Sequence, residues 1–321
     1  MRAIVVTRFG GPEVLELQER ATPTPRAGEL LVEVEAAGVN YRDIYEREGT
    51  GGGQAPLVAG IEGSGVVSAV GPAVTGFTPG DRVAWAAAQG SYAERLLVPA
   101  PKAVPVPAGV PSELAAAAIL QGMTAHCLAT ATYPVASGDT VIVHAAAGGV
   151  GQLLTQIVKL RGGRVIATTS GGEKIGLARE AGADEVIAYE GFARRARELT
   201  GGIGVAAVFD GIGRTTFEEG LAALRPRGVM VLIGAASGPA PSLDPGRLAS
   251  GSLYVTRPTI LDYTATRAEL LERAGQVFRW ISDGQLRVRI GGRYRLEEAR
   301  RAQEDLASRS SAGKLLLVPR P

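Results

Sequence analysis

Residues 139–151 read DTVIVHAAAGGVG, an apolar β-type run that passes directly into a glycine-rich turn, and QLLTQIVKLRGG follows as a helix. No other stretch constrains the fold as strongly. Gly148 lets a backbone approach a diphosphate, and Gly151 lets helix and strand pack closely. The turn opens the helix, whose free N–H groups and positive end meet phosphate charge. The spacing is A-x-G-x-x-G, with Ala146 in place of the first glycine. A tight turn that binds nothing has the same spacing, so the context decides. A strand precedes the turn, a helix follows it, and further strand–helix alternations come after, which points to dinucleotide binding.

Those alternations define the middle of the chain. Strands are expected at 140–145, 164–168, 185–188, 206–210, 229–233 and 252–256, with helices at 151–161, 174–181, 192–199 and 217–224. Gly162 and Gly182 stand where helices end. A β-α-β rhythm of this length predicts a parallel, doubly wound sheet. The first 120 residues read differently. In LVEVEA at 31–36, Val32, Val34 and Ala36 share one face and Glu33 and Glu35 the other, a half-buried strand. Short β segments at 65–70, 82–86 and 92–98 follow between Gly/Pro/Asp turns, which suggests a small barrel or sandwich-like domain. A helix is expected at 114–128, and a mobile loop at Gly51, Gly52 and Gly53. The tail holds helices at 267–282 and 296–308 and a last apolar strand at 314–318.

A chain of 321 residues is long for a single core, so two domains are expected. With 34 basic and 32 acidic residues the charge is too balanced to suggest a nucleic-acid or membrane footprint. The one cysteine, Cys127, excludes an intrachain disulfide. No N-terminal apolar run suits a signal peptide, and no run is expected to be long enough to cross a bilayer. A cytoplasmic protein is the expectation.

The dinucleotide type follows from the end of the second parallel strand, where an acid commonly holds the ribose hydroxyls. Here the residues are Ala167, Thr168, Thr169 and Ser170, and no acid appears before Glu173. Hydroxyls followed by Lys174 suit a 2′-phosphate, so NADPH is expected over NADH. A metal site is not expected. Zinc needs three or four ligands, and the candidates are the adjacent pair His126 and Cys127 and the distant His144, which reads as a packed core histidine. No nucleophilic triad stands out.

GVNYRDIY at 38–45, PLVAGIEGSGVVSAV at 56–70, GDRV at 80–83, HAAAGGVG at 144–151 and GSLYVTRP at 251–258 together resemble the medium-chain dehydrogenase/reductase superfamily, and within it the zinc-free quinone oxidoreductase (zeta-crystallin-like) group. The similarity runs essentially end to end. Zinc-using relatives carry metal-binding Cys and His where this chain has Asn40 and Ile61.

The resemblance implies an α/β protein with a GroES-like β-rich domain, 1–122 and 259–321, around an inserted Rossmann domain with a doubly wound parallel sheet, 123–258. It implies a homodimer formed through Rossmann edge strands, here 252–256. It implies that Asn40 and Tyr45 lie near the nicotinamide and that Thr124 bonds its carboxamide. Gly149 and Val150 would cradle the diphosphate, with Ser170, Lys174 and Tyr189 around the adenine ribose and its phosphate. Ile212, Ile233, Gly234 and Ala235 would line the nicotinamide side near Thr259, with Arg309 reaching in from the tail. Gly211 and Gln121 depart from residues common in relatives, Ser and Lys, and bear on the substrate pocket formed with Asn40 and Tyr45.

The implied chemistry is hydride delivery from NADPH to a quinone, with one-electron steps open for some ortho-quinones. Asn40 or Tyr45 would donate a hydrogen bond to the substrate oxygen, or serve only to position cofactor and substrate. Reduction of the double bond of an enal, enone or enoyl thioester is the second reading. An NADPH-binding structural or RNA-interacting protein is the third.

Overall fold

The computed structural model describes residues 1–308 and 311–319. In chain order the first elements are β1 (Arg2–Val6), β2 (Leu15–Glu19), β3 (Glu29–Val39), α1 (Tyr41–Arg47), β4 (Leu57–Val58), β5 (Gly63–Val70), β6 (Arg82–Trp85), β7 (Arg95–Pro99), β8 (Val104–Pro105) and α2 (Ser112–Cys127). Next come β9 (Thr140–Val143), α3 (Gly149–Leu160), β10 (Arg164–Thr168), α4 (Glu173–Glu180), β11 (Glu185–Ile187), α5 (Phe192–Leu199), β12 (Val205–Asp210), α6 (Phe217–Ala223), β13 (Leu224–Leu232), β14 (Tyr254–Thr256) and α7 (Ile260–Tyr263). The tail supplies α8 (Arg267–Ser282), β15 (Ile290–Arg295), α9 (Ala299–Ala307) and β16 (Lys314–Val318).

The chain divides into two compact units. One is Met1–Gln121 with the described residues from Thr266 onward, and the other is Gly122–Ala265. Residues 259–265 therefore go with the second unit, where the sequence reading placed them in the first.

In the first unit β3 is the organising strand. It pairs antiparallel with β5 along one edge, and with β7 and then β16 along the other. The sheet runs β15-β16-β3-β5-β6-β8, and a smaller sheet runs β2-β1-β4. The register Leu315↔Val39, Leu316↔Gly38, Leu317↔Ala37 is how the tail rejoins the start of the chain. The alternation read in 31–36 holds, with Val32, Val34 and Ala36 buried and Glu35 exposed. Val32 and Val34 join Leu30, Trp85, Tyr92, Val98, Leu315 and Leu317 in one core, each aliphatic contributing about 1.5–3 kcal/mol by burial.

The second unit is a six-stranded sheet, β11-β10-β9-β12-β13-β14, in which every pairing is parallel. Ile142, Ile166, Phe192, Val208, Phe217 and Met230 fill its core. Strand order reverses at β9, which has β10 on one side and β12 on the other. In open α/β sheets that switch point, at the strands' carboxyl ends, is where ligands bind.

Two expectations need correction. The helical stretch Ser112–Thr132 is 21 residues long with mean hydropathy 1.4, so one segment does have the length and composition to span a bilayer. However, 67% of that window is buried inside the protein, and Ala115, Ala116, Ala117 and Ile119 are fully buried. Its apolar content serves packing. Strand β13 starts at Leu224 rather than 229, because Leu224 pairs with Val205 across a register shift before Ala207 takes up Val229.

Candidate functional site

Strand β9 delivers the chain to the glycine turn. Ala146 N–H donates to the carbonyl of Thr168 (3.1 Å), which ties the turn to the end of β10, and Ala145 N–H donates to the Tyr189 hydroxyl (3.0 Å). Gly148 N–H closes the turn on Ala145 (2.8 Å), and Gly148 is the N-cap of α3. The Gln152 side chain donates to Ala147 (2.7 Å) and braces the loop from the helix side. A Cβ on Gly151 would lie 2.3 Å from the carbonyl oxygen of Ala145 and 2.8 Å from Ala146 Cα; one on Gly148 would lie 3.1 Å from the same oxygen. Glycine at 151 is thus what lets α3 begin against the strand. The first N–H groups of α3, at Gly149, Val150 and Gly151, have no intrahelical acceptors. They form a donor set suited to a diphosphate.

The residues after β10 are those expected at the adenosine end. Thr168 is buried and its hydroxyl meets His144 Nδ1 at 2.7 Å, so it faces inward. Ser170 is exposed. Gly171 (φ +91°) and Gly172 (φ +62°) then turn the chain into α4, placing Lys174 in its first turn, half-buried. His144 packs edge-on against Phe192 (4.7 Å between centroids), and burial pushes its pKa down to about 4. It is a neutral core residue, as the sequence suggested.

Two loops at the carboxyl ends of β12 and β13 are locked together. Asp210 is fully buried. Its Oδ1 accepts from Ile212 N–H (2.7 Å) and Gly213 N–H (3.0 Å), and its Oδ2 from the Thr216 hydroxyl (2.8 Å). Ala236 N–H donates to Gly211 (3.2 Å) and Ser237 N–H to Ile212 (2.8 Å), so residues 233–237 lie along 211–212. A Cβ on Gly234 would come within 2.9 Å of the Gly211 carbonyl oxygen, whereas one on Gly211 meets nothing within 4 Å. A small side chain at 211 would therefore be accommodated.

Ten of the expected cofactor residues, Gly148, Gly149, Val150, Gly151, Ser170, Lys174, Tyr189, Ile212, Gly234 and Ala235, follow the carboxyl ends of β9, β10, β11, β12 and β13, with Ile233 directly after β13. Thr124 lies in α2. Thr259 caps α7 through a bond from Leu261 N–H (3.4 Å). Arg309 lies outside the described residues.

Asn40, Tyr45 and Gln121 belong to the first unit. Tyr45 is half-buried on α1, its ring 6.4 Å from that of Tyr41. Gln121 is half-buried, and its Oε1 is buried with no hydrogen-bond partner. Asn40 is buried within a polar cluster that the sequence reading missed. Its Nδ2 donates to Glu62 Oε2 (2.8 Å) and the Gly38 carbonyl (3.3 Å), and its Oδ1 accepts from Lys314 Nζ (2.7 Å). Both amide hydrogens are engaged, so the hydrogen bond expected from Asn40 to a substrate oxygen has no donor left in this arrangement. Asp43 Oδ2 accepts from Asn40 N–H (2.8 Å) and from the Tyr92 hydroxyl (2.8 Å), and burial pushes the Asp43 carboxyl up to about 7. The available signal was a lone charge inside an apolar run, Glu62 before GSGVV and Lys314 before LLLV. Among the described residues no group of three or more His, Cys, Asp or Glu side chains is placed to hold a metal ion.

Residues 26–108 match the family described as alcohol dehydrogenase GroES-like domain, and residues 149–276 the family described as zinc-binding dehydrogenase. Quinone oxidoreductase of Pseudomonas aeruginosa is 42% identical, covering 99% of both chains. A 2-haloacrylate reductase of a Burkholderia species is 37% identical, covering 99% of this chain and 98% of its own. The solved structure of mycobacterial Rv1454c complexed with NADPH superposes with a TM-score of 0.97 at 49% identity, covering 99% of this chain and all of the other. With two family matches in chain order and relatives of this identity along their whole length, the chain belongs to the quinone oxidoreductase group of the medium-chain dehydrogenase/reductase superfamily.

Proposed function

We propose that this protein is an NADPH-dependent oxidoreductase that reduces a quinone. The observation that carries the reading is the α3 N-terminus at the switch point of the parallel sheet, with Gly151 where any side chain would strike backbone. Full-length identity to a quinone oxidoreductase and to a chain solved with NADPH supports it.

The residues fit the cofactor. Gly149, Val150 and Gly151 N–H groups take the diphosphate, and Ser170 with Lys174 takes the 2′-phosphate, a site with no competing acid before Glu173. Thr124 holds the carboxamide. Ile212 and Ile233–Ala235 form a wall whose shape Asp210 fixes. When bound, the nicotinamide supplies a hydride, and the protein supplies orientation and selected hydrogen bonds. With the Asn40 amide engaged, Tyr45 is the side-chain donor assigned to the substrate oxygen. A Tyr45→Phe variant should slow hydride transfer in stopped-flow traces; an unchanged rate and pH profile removes it from that role.

The second reading, reduction of a conjugated C=C bond, is favoured by the similarity to a 2-haloacrylate reductase. Both readings need a hydride donor and a group that polarises an oxygen. NADPH oxidation measured across quinones and α,β-unsaturated carbonyls separates them by the ratio of kcat/KM values. Turnover of neither class, with NADPH still bound, would favour a binding protein instead.

The same proposal makes the protein a cytoplasmic homodimer without nucleic-acid or membrane partners. Balanced charge and a single buried cysteine support the compartment. Strand β14, at the end of its sheet with Tyr254 59% exposed, supports the dimer. Sedimentation of wild type against Tyr254→Asp tests it, a monomer being expected for the variant.

A further inference from the structure

We infer that Lys314 is a positioning residue for the reduction: with Glu62 it clamps the Asn40 amide and so sets the start of the helix that carries Tyr45. The inference rests on the oxidoreductase reading above.

Lys314 is 1% exposed and Glu62 is fully buried. The Lys314 ammonium donates to Glu62 Oε2 and to Asn40 Oδ1. Glu62 Oε1 is held from the other side by Leu120 N–H (2.8 Å). The amide therefore has one allowed orientation. Its oxygen faces a cation and its nitrogen faces a carboxylate, and a flip would oppose donor to donor and acceptor to acceptor. Asn40 is the N-cap of α1, and its own N–H is bound by Asp43 in the first turn. Tyr45 follows within the same short helix, its carbonyl accepting from Thr50 and Gly51 N–H. Lys314 thus acts on Tyr45 through Asn40 and the helix start.

Stability alone gives little reason to bury this pair, since apolar residues of similar volume commonly do as well. The space is nevertheless reserved for it. A Cβ on Gly38 would lie 2.2 Å from Glu62 Oε2 and 2.6 Å from Lys314 Cε. What an ion pair supplies, and an apolar pair does not, is a directional hold on the asparagine.

The test compares wild type, Lys314→Met and the double variant Glu62→Gln/Lys314→Met. The single variant strands a buried carboxylate and is prone to misfold, whereas the double removes both charges. For the double variant the expectation is a Tm within a few degrees of wild type and an NADPH dissociation constant within about twofold. Its kcat with the best quinone should fall about 10- to 100-fold, the size expected from misplacing a group by about an ångström. If kcat returns to the wild-type value along with Tm, the pair serves only the fold and the inference is overturned. Failure of the wild type to turn over any quinone or conjugated carbonyl would instead overturn the oxidoreductase reading, and this inference with it.

Discussion

The sharpest prediction concerns Gly151→Ala. The new methyl carbon would sit 2.3 Å from the Ala145 carbonyl oxygen, 2.8 Å from Ala146 Cα and 3.0 Å from the Ala145 carbonyl carbon. All three are backbone atoms, and Ala145 is already left-handed at φ +50°, so no side chain can swing aside. To regain an ordinary contact of about 3.5 Å, the start of α3 must move away from the turn by roughly an ångström. Overpacking of this kind costs about 1–3 kcal/mol. The same displacement pulls the N–H groups of Gly149 and Val150 out of line with a diphosphate, and hydrogen bonds to charged groups contribute about 1.5–3 kcal/mol each. Losing the better part of one bond weakens NADPH binding at least about tenfold.

The neighbouring glycines grade the effect. Gly148→Ala meets the same carbonyl oxygen at 3.1 Å, a contact relieved by a few tenths of an ångström, so its loss of affinity should be smaller. Gly211→Ser meets nothing within 4 Å of its Cβ and should leave stability within about 0.5 kcal/mol of wild type. Fluorescence titration with NADPH and thermal melts of all three variants measure the series. A Gly151→Ala protein that binds NADPH as wild type does, or an affinity order with Gly211→Ser the most damaging, refutes the placement of the diphosphate at this turn.

Lys174→Ala should raise the KM for NADPH about tenfold and leave that for NADH unchanged, as loss of one phosphate contact requires; wild-type kinetics equal with both cofactors would refute the 2′-phosphate assignment. Asp210→Ala removes the acceptor of three buried donors, and a destabilisation of at least about 3 kcal/mol in urea unfolding is expected; a change under 1 kcal/mol would show that these loops do not depend on it. Between the ordinary carboxylate range and about pH 7, folded Asp43 holds a proton that the unfolded chain has released, so its contribution to stability declines as pH rises through that window, by up to about 1.4 kcal/mol per pH unit. Asp43→Asn should remove this decline relative to wild type in urea unfolding between pH 5 and 7, and parallel curves for the two proteins would count against a raised Asp43.

What could be read in the sequence and what could not follow different physics. Strands β9, β10 and β12 are buried on both faces, so they read as apolar runs, and Gly162 and Gly182, both left-handed, end the intervening helices where the pattern says they must. Those signals are local. Helix α1 escaped because YRDIYER is short and polar, and its start depends on a bond between Asn40 and the Asp43 side chain rather than on periodicity. Strand β15, IGGRYR, alternates half-buried with exposed and carries two glycines, and it becomes a strand because β16 lies beside it. The polar cluster was further out of reach. Lys314 and Glu62 stand 252 residues apart, and each by itself reads as a charge at the edge of an apolar strand. Only the register Leu316↔Gly38 brings them to one place, beside the glycine whose missing side chain makes the room. A chain can thus declare the kind of group it buries without declaring its partner, and here the partner is what fixes the Asn40 amide at the start of α1.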